Sequence, residues 1–175
     1  MTREEYPFEN RQDVDLSKLA AERMPLQDYS RAHQGLIIPR HDILIRYNGA
    51  ILLVVRDNFP AKGILWPIGG RIERGVPTEE SLRRIVKRET GLTLSGHLID
   101  FGSRRTYFQT DPFGHGHGTD TINERFFGRA EGELKLDDMH INPTLVRGKD
   151  YTQEFRTQLH PYVRDFMDLA MSFNR

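Results

Sequence analysis

The stretch GGRIERGVPTEESLRRIVKRETGL, residues 69–92, decides the fold because it joins a glycine-rich loop to one sharply delimited helix. Thr78 is the candidate N-cap, and two glutamates follow it in the first turn, where the helix dipole favours acidic side chains. Gly91 is a typical C-terminal stop. The pattern therefore predicts a helix over 78–90.

The same stretch carries a candidate cation site. Gly69 and Gly70 allow a sharp turn that brings backbone carbonyls close to a ligand. On the helix, Glu89 is the acidic member of a patch that also contains Ile85 and Arg88. A backbone oxygen and one glutamate form a partial shell for Mg²⁺. The alternative is a purely structural turn, with Glu89 as a surface partner of a nearby arginine.

Strand signals lie on both sides of this helix. The runs 42–47 and 50–57 flank Asn48-Gly49, a dipeptide typical of a tight type I′ hairpin. Further strands are predicted over 97–109 and 121–130, separated by the loop DPFGHGHGTD, which we expect to be a flexible lid. Apolar residues at helical spacing predict a C-terminal helix that packs on the sheet. Strands before and after a central helix predict an α/β or α+β fold.

The first 34 residues differ from the rest because they are polar and poor in strand signals. We interpret 1–34 as a partly helical N-terminal extension and 35–175 as one domain. Helical spacing begins after Asp15 and continues to Arg23, and a second helical turn is predicted over 26–32.

Composition excludes several function classes. Twenty-five Lys and Arg balance twenty-five Asp and Glu among 175 residues, so no global positive field attracts nucleic acid or an anionic membrane. The basic side chains between 83 and 88 are expected to form a solvated helix face. No apolar run approaches the ~20 residues of a membrane span, and no secretory signal begins the sequence. The absence of cysteine fits a cytoplasmic protein whose chemistry uses carboxylates, histidine, arginine and backbone.

The helix stretch resembles the Nudix box, whose pattern is G, five residues, E, seven residues, then R-E-hydrophobic-x-E-E-x-G-hydrophobic. The match comprises Gly70, Arg84, Glu89, Gly91 and Leu92. Where the family has its other glutamates, the chain has valine at 76, isoleucine at 85 and arginine at 88. The usual cluster of carboxylates around magnesium cannot form from these residues.

The sequence is most similar to the GDP-mannose mannosyl hydrolase branch of the Nudix superfamily, which also lacks the two helical glutamates and keeps the one at Glu89. The similarity spans roughly 26–145 and includes Asp42, Arg56, a P-A-x-G turn at 60–63 and His140. The resemblance implies an α/β/α sandwich with a mixed sheet, and it suggests a homodimer.

The resemblance also implies a reaction, the hydrolysis of a GDP-hexose at its anomeric carbon to GDP and free sugar. One Mg²⁺ on the diphosphate would be bound by the Gly69 carbonyl and the Glu89 carboxylate. His140 would be the general base, Arg56 would contact the diphosphate, and Asp42 would assist near the sugar. A diphosphate leaving group stabilised by a cation and a guanidinium needs no strong general acid.

Two departures leave alternatives open. Val76 replaces a box glutamate, and Met139 stands where the branch has a metal-ligating glutamine. Because a thioether is a poor Mg²⁺ ligand, either the metal keeps an extra water, or Asp137 or Asp138 substitutes, or metal binding is weaker. The competing functions are pyrophosphate cleavage of another nucleoside diphosphate derivative and non-catalytic binding of a nucleotide or nucleotide sugar.

Overall fold

A computed structural model describes residues 4–21 and 24–173. The strands are β1 (Phe8–Glu9), β2 (Gln12–Asp13), β3 (Ile38–Tyr47), β4 (Ala50–Arg56), β5 (Leu65–Trp66), β6 (Ile68–Arg71), β7 (Thr93–Phe108), β8 (Thr119–Glu131) and β9 (His140–Val146). The helices are α1 (Leu26–Gly35), α2 (Thr78–Thr90), α3 (Gln153–Gln158) and α4 (Pro161–Ser172), with 3₁₀ turns at Leu16–Leu19 and Gly148–Asp150.

Strands β3 to β9 form one mixed sheet. Its main order is β5-β4-β3-β8-β7, while β6 also pairs with β3 and β9 with β4. The β3–β8 pair is parallel and the other pairs are antiparallel. Asn48 and Gly49 have φ values of 49° and 74°, as a type I′ turn requires. The predicted hairpin between β3 and β4 is therefore confirmed.

Helices cover both faces of this sheet. Helix α2 buries Leu82, Ile85 and Val86 against one face, and α4 buries Val163 and Phe166 against the other. The predicted C-terminal helix is α4, with Pro161 in its first turn. The mixed sheet between helices confirms the predicted α/β/α sandwich.

Helix α2 has the predicted length, but its N-terminus differs from the prediction. Gly91 ends it in the left-handed conformation, with its N–H bonded to the Lys87 carbonyl. Thr78 is the first helical residue rather than the N-cap, because Pro77 occupies the cap position and offers no side-chain acceptor. Glu5 Oε1 instead accepts the Thr78 N–H at 3.0 Å and the Thr78 hydroxyl at 2.6 Å. A carboxylate 73 residues away in the chain thus takes over the capping role.

The N-terminal extension contains the two predicted helical segments in altered form. Asp15 caps the first by accepting the Ser17 N–H at 3.1 Å, but this segment is a short 3₁₀ helix. Helix α1 continues three residues beyond the predicted 26–32, and Arg23 lies outside the described residues. None of the described helices combines the length and apolar character that a membrane span requires.

The glycine and histidine loop is folded around one carboxylate. Asp111 accepts the backbone N–H groups of Phe113, His115 and Gly116 at 2.8, 3.1 and 3.0 Å. His115 Nε2 also lies 2.9 Å from His33 Nδ1 on α1. The loop is thus joined to the N-terminal extension, and its role as a flexible lid remains a prediction.

Candidate functional site

The five predicted site residues lie together at one end of the sheet. Asp42 on β3 pairs in register with Gly69 on β6, and Arg56 at the end of β4 pairs with His140 at the start of β9. Glu89, near the C-terminus of α2, connects the two pairs. Its Oε2 lies 3.3 Å from the Gly69 nitrogen and 3.8 Å from His140 Nε2.

Gly69 and Glu89 are tightly joined. The Gly69 N–H donates to Glu89 Oε2, while Glu89 Oε1 accepts from Arg88 Nη2 at 3.2 Å. A Cβ on Gly69 would overlap Asp42 Oδ1 and the His41 carbonyl oxygen, so only glycine fits this position without a shift. Burial raises the pKa of Glu89, and the charges of His140 and Arg88 oppose that rise.

His140 is oriented by an aspartate three residues earlier. Its Nδ1 lies 2.7 Å from Asp137 Oδ1, and because a carboxylate can only accept, Nδ1 carries the proton. When the ring is neutral, Nε2 is therefore the nitrogen without a proton, and it faces Glu89 Oε2 at 3.8 Å. The Asp137 N–H donates to the Glu89 carbonyl at 3.1 Å, which fixes the loop on α2. Asp137, considered above as a substitute metal ligand, thus orients the imidazole.

Arg56 is held by the turn that follows β4. Its Nε donates to the Pro60 carbonyl at 2.8 Å and its Nη2 to Asn58 Oδ1 at 3.0 Å. Burial lowers the pKa of Arg56 to about 10, so the guanidinium keeps its charge at neutral pH. Met139 Sδ accepts from Asn58 Nδ2 at 3.4 Å, and 55% of the Met139 residue surface is exposed. Met139 therefore contacts Asn58, the residue that also holds the Arg56 guanidinium.

Asp42 lies deeper than the resemblance implies. It is fully buried, and its Oδ2 accepts the Tyr162 hydroxyl at 2.6 Å. Its Oδ1 has no hydrogen-bond partner among the described residues, and burial raises the pKa of the carboxyl group. Trp66 stacks on Tyr162 with the ring centroids 5.2 Å apart and belongs to the core. A contact of Asp42 with a sugar remains a prediction.

Arg40 is a site residue that the motif comparison missed. It is half-buried on β3, and its Nη2 donates to the Gly69 carbonyl at 3.3 Å. Strand alternation places it on the same sheet face as Asp42, two residues later. The sequence predicts that residues 40 and 42 share one face of a strand, but it does not predict that β3 pairs with β6.

The residues present do not fit the Mg²⁺ shell that the resemblance implies. Mg²⁺ prefers about six oxygens in octahedral geometry. The Gly69 carbonyl already accepts from Arg40, and the Glu89 oxygens accept from Gly69 and Arg88. Within 4–21 and 24–173, no group of three or more histidine, aspartate or glutamate side chains is arranged to hold a metal ion.

The remaining charges of α2 form the solvated face that the sequence predicted. Arg84 pairs with Glu73 at 3.2 Å, which links the loop to the helix, and with Glu80 at 2.8 Å. Arg83 pairs with Glu79. Exposed pairs of this kind contribute little to stability, so the helix is held by its buried face.

Glu89→Gln is expected to stabilise the chain at neutral pH. A carboxyl group whose pKa rises on folding makes the folded state less stable as pH increases through its unfolded and then its folded pKa. Glutamine retains an acceptor for the Gly69 N–H without the buried charge. We expect Tm to rise by roughly 2–4 °C at pH 7, equivalent to about 1 kcal/mol, and the gain to vanish as pH falls to about 4.

Scanning calorimetry in EDTA between pH 4 and 8 measures this difference. The matched control is Glu80→Gln on the exposed face of the same helix, for which little change is expected. A Glu89→Gln variant with an unchanged or lower Tm at pH 7 would contradict the expectation.

Comparison with known proteins agrees with this architecture. The NUDIX domain profile matches residues 39–156. The low-salt glycan biosynthesis protein Agl8 of Haloferax volcanii is 24% identical over 149 residues, which cover 83% of this chain and 90% of that protein.

Two solved structures share the fold. The MutT NUDIX hydrolase of Burkholderia pseudomallei has a TM-score of 0.59 at 18% identity, covering 76% of this chain and 97% of the other. A possible asymmetric diadenosine tetraphosphate hydrolase of Jonesia denitrificans has a TM-score of 0.60 at 12% identity, covering 80% and 96%. Because the profile match includes the loop, α2 and the strands that carry the site, the chain belongs to the NUDIX family.

Proposed function

We propose that this protein hydrolyses a nucleoside diphosphate sugar at the anomeric carbon, releasing the nucleoside diphosphate and the free sugar. The observation that carries the proposal is the His140 imidazole, bonded to Asp137 and paired in register with the buried guanidinium of Arg56. A base beside a fixed cation suits a reaction in which water is activated while a diphosphate departs.

In this reaction, His140 Nε2 removes a proton from water as the water oxygen bonds to the anomeric carbon. The bond between that carbon and the diphosphate oxygen breaks, and its electron pair leaves with the diphosphate. Asp137 keeps the imidazole in the required tautomer, since its carboxylate holds the Nδ1 proton. Arg56 stabilises the negative charge of the leaving group, because its guanidinium is already fixed by Asn58 and Pro60.

GDP-mannose and GDP-glucose are the first substrates to test, because the sequence resembles the GDP-mannose mannosyl hydrolase branch. The similarity to Agl8, a glycan biosynthesis protein, also favours a sugar-containing substrate. A homodimer and a cytoplasmic location remain expectations of the sequence. Nudix hydrolases generally use a divalent metal. Because the oxygen ligands here do not fit Mg²⁺, His140, Asp137 and Arg56 carry the proposed reaction.

Product analysis tests the proposal. The full chain is incubated with a panel of nucleoside diphosphate sugars in ¹⁸O-labelled water, with Mg²⁺ or with EDTA, and followed by phosphorus NMR and mass spectrometry. We expect a nucleoside diphosphate without label and a free sugar carrying ¹⁸O. His140→Gln, which removes the base, is expected to slow the reaction strongly, and Glu80→Gln on the exposed face of α2 is expected to retain it.

The other outcomes identify the competing functions. A sugar phosphate and a mononucleotide would indicate pyrophosphate cleavage, the general activity of the family, and would overturn the mechanism. Calorimetric binding of a nucleotide sugar without any product would indicate a non-catalytic binding domain. The incomplete metal shell favours that second candidate, while the oriented imidazole favours hydrolysis.

A further inference from the structure

Arg40 places a positive charge at the position where the family resemblance implies a metal ion. Strands β3 and β6 run antiparallel, with Arg40 opposite Arg71 and Asp42 opposite Gly69. In this register the Arg40 guanidinium reaches the Gly69 carbonyl, and Nη2 donates to that oxygen at 3.3 Å. One carbonyl lone pair that a metal would use is therefore directed at a guanidinium.

Glu89, the other predicted metal ligand, also has hydrogen-bond partners. The Glu89 carboxylate accepts from the Gly69 N–H and from Arg88. Arg88 is no alternative cation for the carbonyl, because it is directed at Glu89 and at Glu73, which is 3.7 Å away. Among the side chains that the structure describes, Arg40 is the one that donates to the Gly69 carbonyl.

Arg40 lies close to the other charged residues around Gly69. Asp42 is two residues later on the same face of β3 and pairs in register with Gly69. Glu89 accepts from the N–H of Gly69, the residue whose carbonyl accepts from Arg40. One guanidinium and two carboxylates thus surround the Gly69 peptide groups.

Arg40 also keeps donors free for a ligand. A guanidinium has five N–H donors in a planar fork that matches phosphate oxygens, and within the described residues its one side-chain hydrogen bond is to Gly69. Arg56 uses Nε and Nη2 on Pro60 and Asn58, which leaves Nη1 without a protein partner in the described part of the chain.

From these contacts we infer that the Arg40 guanidinium replaces the divalent cation of this site, so that Arg40 and Arg56 bind the diphosphate of a nucleotide without a metal ion. The inference rests on the proposed function, because it needs a nucleoside diphosphate ligand. Fixed guanidinium groups form charge-assisted hydrogen bonds with phosphate oxygens, as a metal ion would coordinate them.

Calorimetric titration of the full chain tests the inference, with GDP, UDP, ADP, CDP and dTDP as probes, each in EDTA and in excess Mg²⁺. For the nucleotide that binds most tightly, we expect the wild-type Kd to change less than about threefold between the two conditions. Arg40→Gln is expected to weaken binding in EDTA at least tenfold and to recover part of it in Mg²⁺, because the Gly69 carbonyl is released.

Two further variants complete the test. Arg46→Gln, on the same strand and six residues further along, is the matched control and should bind like the wild type. Arg40→Lys keeps the charge without the fork, so we expect an intermediate Kd in EDTA. The wild-type comparison needs no variant and stays decisive even if Arg40→Gln fails to fold.

The outcomes separate the two proposals. Wild-type binding that requires Mg²⁺, or an Arg40→Gln affinity in EDTA equal to that of the wild type, would overturn the role of Arg40 and leave the proposed function intact. Failure of every nucleotide to bind in either condition would remove the proposed function and this inference together.

Discussion

Gly69→Ala is expected to destabilise the protein severely. The added Cβ would overlap the His41 carbonyl oxygen and Asp42 Oδ1, and a backbone oxygen in the middle of the sheet cannot rotate away. Forcing atoms into a packed interior typically costs 1–3 kcal/mol, and we expect about 3 kcal/mol or more here because backbone is displaced. For a chain of this size that corresponds to a Tm lower by roughly 6–12 °C.

The neighbouring glycine supplies the matched control. The atoms nearest to a Cβ on Gly70 would be Arg88 Nη2, Glu89 Oε1 and Ile85 Cδ1, at 3.3–3.4 Å, and all three belong to side chains rather than to the backbone. Gly70→Ala should therefore change Tm far less than Gly69→Ala in thermal denaturation followed by circular dichroism. Equal effects of the two substitutions would contradict the close approach of β6 to β3 at Gly69.

The elements that the sequence predicted well are those whose signals are local. The Asn48-Gly49 turn needs two positive φ angles, and these two residues adopt them readily. Helix α2 is delimited by its own first turn and by Gly91. The α/β/α arrangement then follows from a helix with one apolar stripe on a buried sheet.

Contacts between distant parts of the chain escaped prediction. Glu5 replaces Thr78 as the group that satisfies the start of α2, although nothing in the sequence near position 78 points to it. Arg40 precedes every motif residue, and only the register of β3 and β6 brings it to Gly69. The sequence also did not predict that Asp137 orients the imidazole, because this contact depends on the orientation of the His140 ring.

The local motif also predicted a metal site, and both of its predicted ligands have other hydrogen-bond partners in the structure. Gly69 and Glu89 lie together as the resemblance required. The motif did not identify the other neighbours of these two residues. The Arg40 guanidinium donates to the Gly69 carbonyl, and the Arg88 guanidinium donates to the Glu89 carboxylate. A spacing pattern fixes which residues meet, but the charge balance of a buried site depends on all the strands that border it.

His140→Gln is expected to reduce the hydrolysis rate of a nucleotide sugar by about 10²–10⁴-fold, the usual contribution of a general base. Glutamine cannot accept a proton from water, although its amide can still fill the space between Asp137 and Glu89. Because Arg56, the residue proposed to contact the diphosphate, lies on another strand, Kd for the nucleoside diphosphate should change less than about threefold.

Asp137→Asn separates orientation from proton transfer. An amide can donate to His140 Nδ1 and so favour the tautomer that carries the proton on Nε2, which would leave no free base facing Glu89. We therefore expect kcat to fall about tenfold or more with little change in KM, while His97→Gln on the exposed part of β7 leaves both unchanged.

The single and double variants together identify the base. If both His140→Gln and Asp137→Asn react at the wild-type rate, the general base is a residue other than His140. Additive losses in the double variant would show that the two side chains act independently, whereas a double variant no slower than His140→Gln alone is the result expected of an aspartate that acts only through the imidazole.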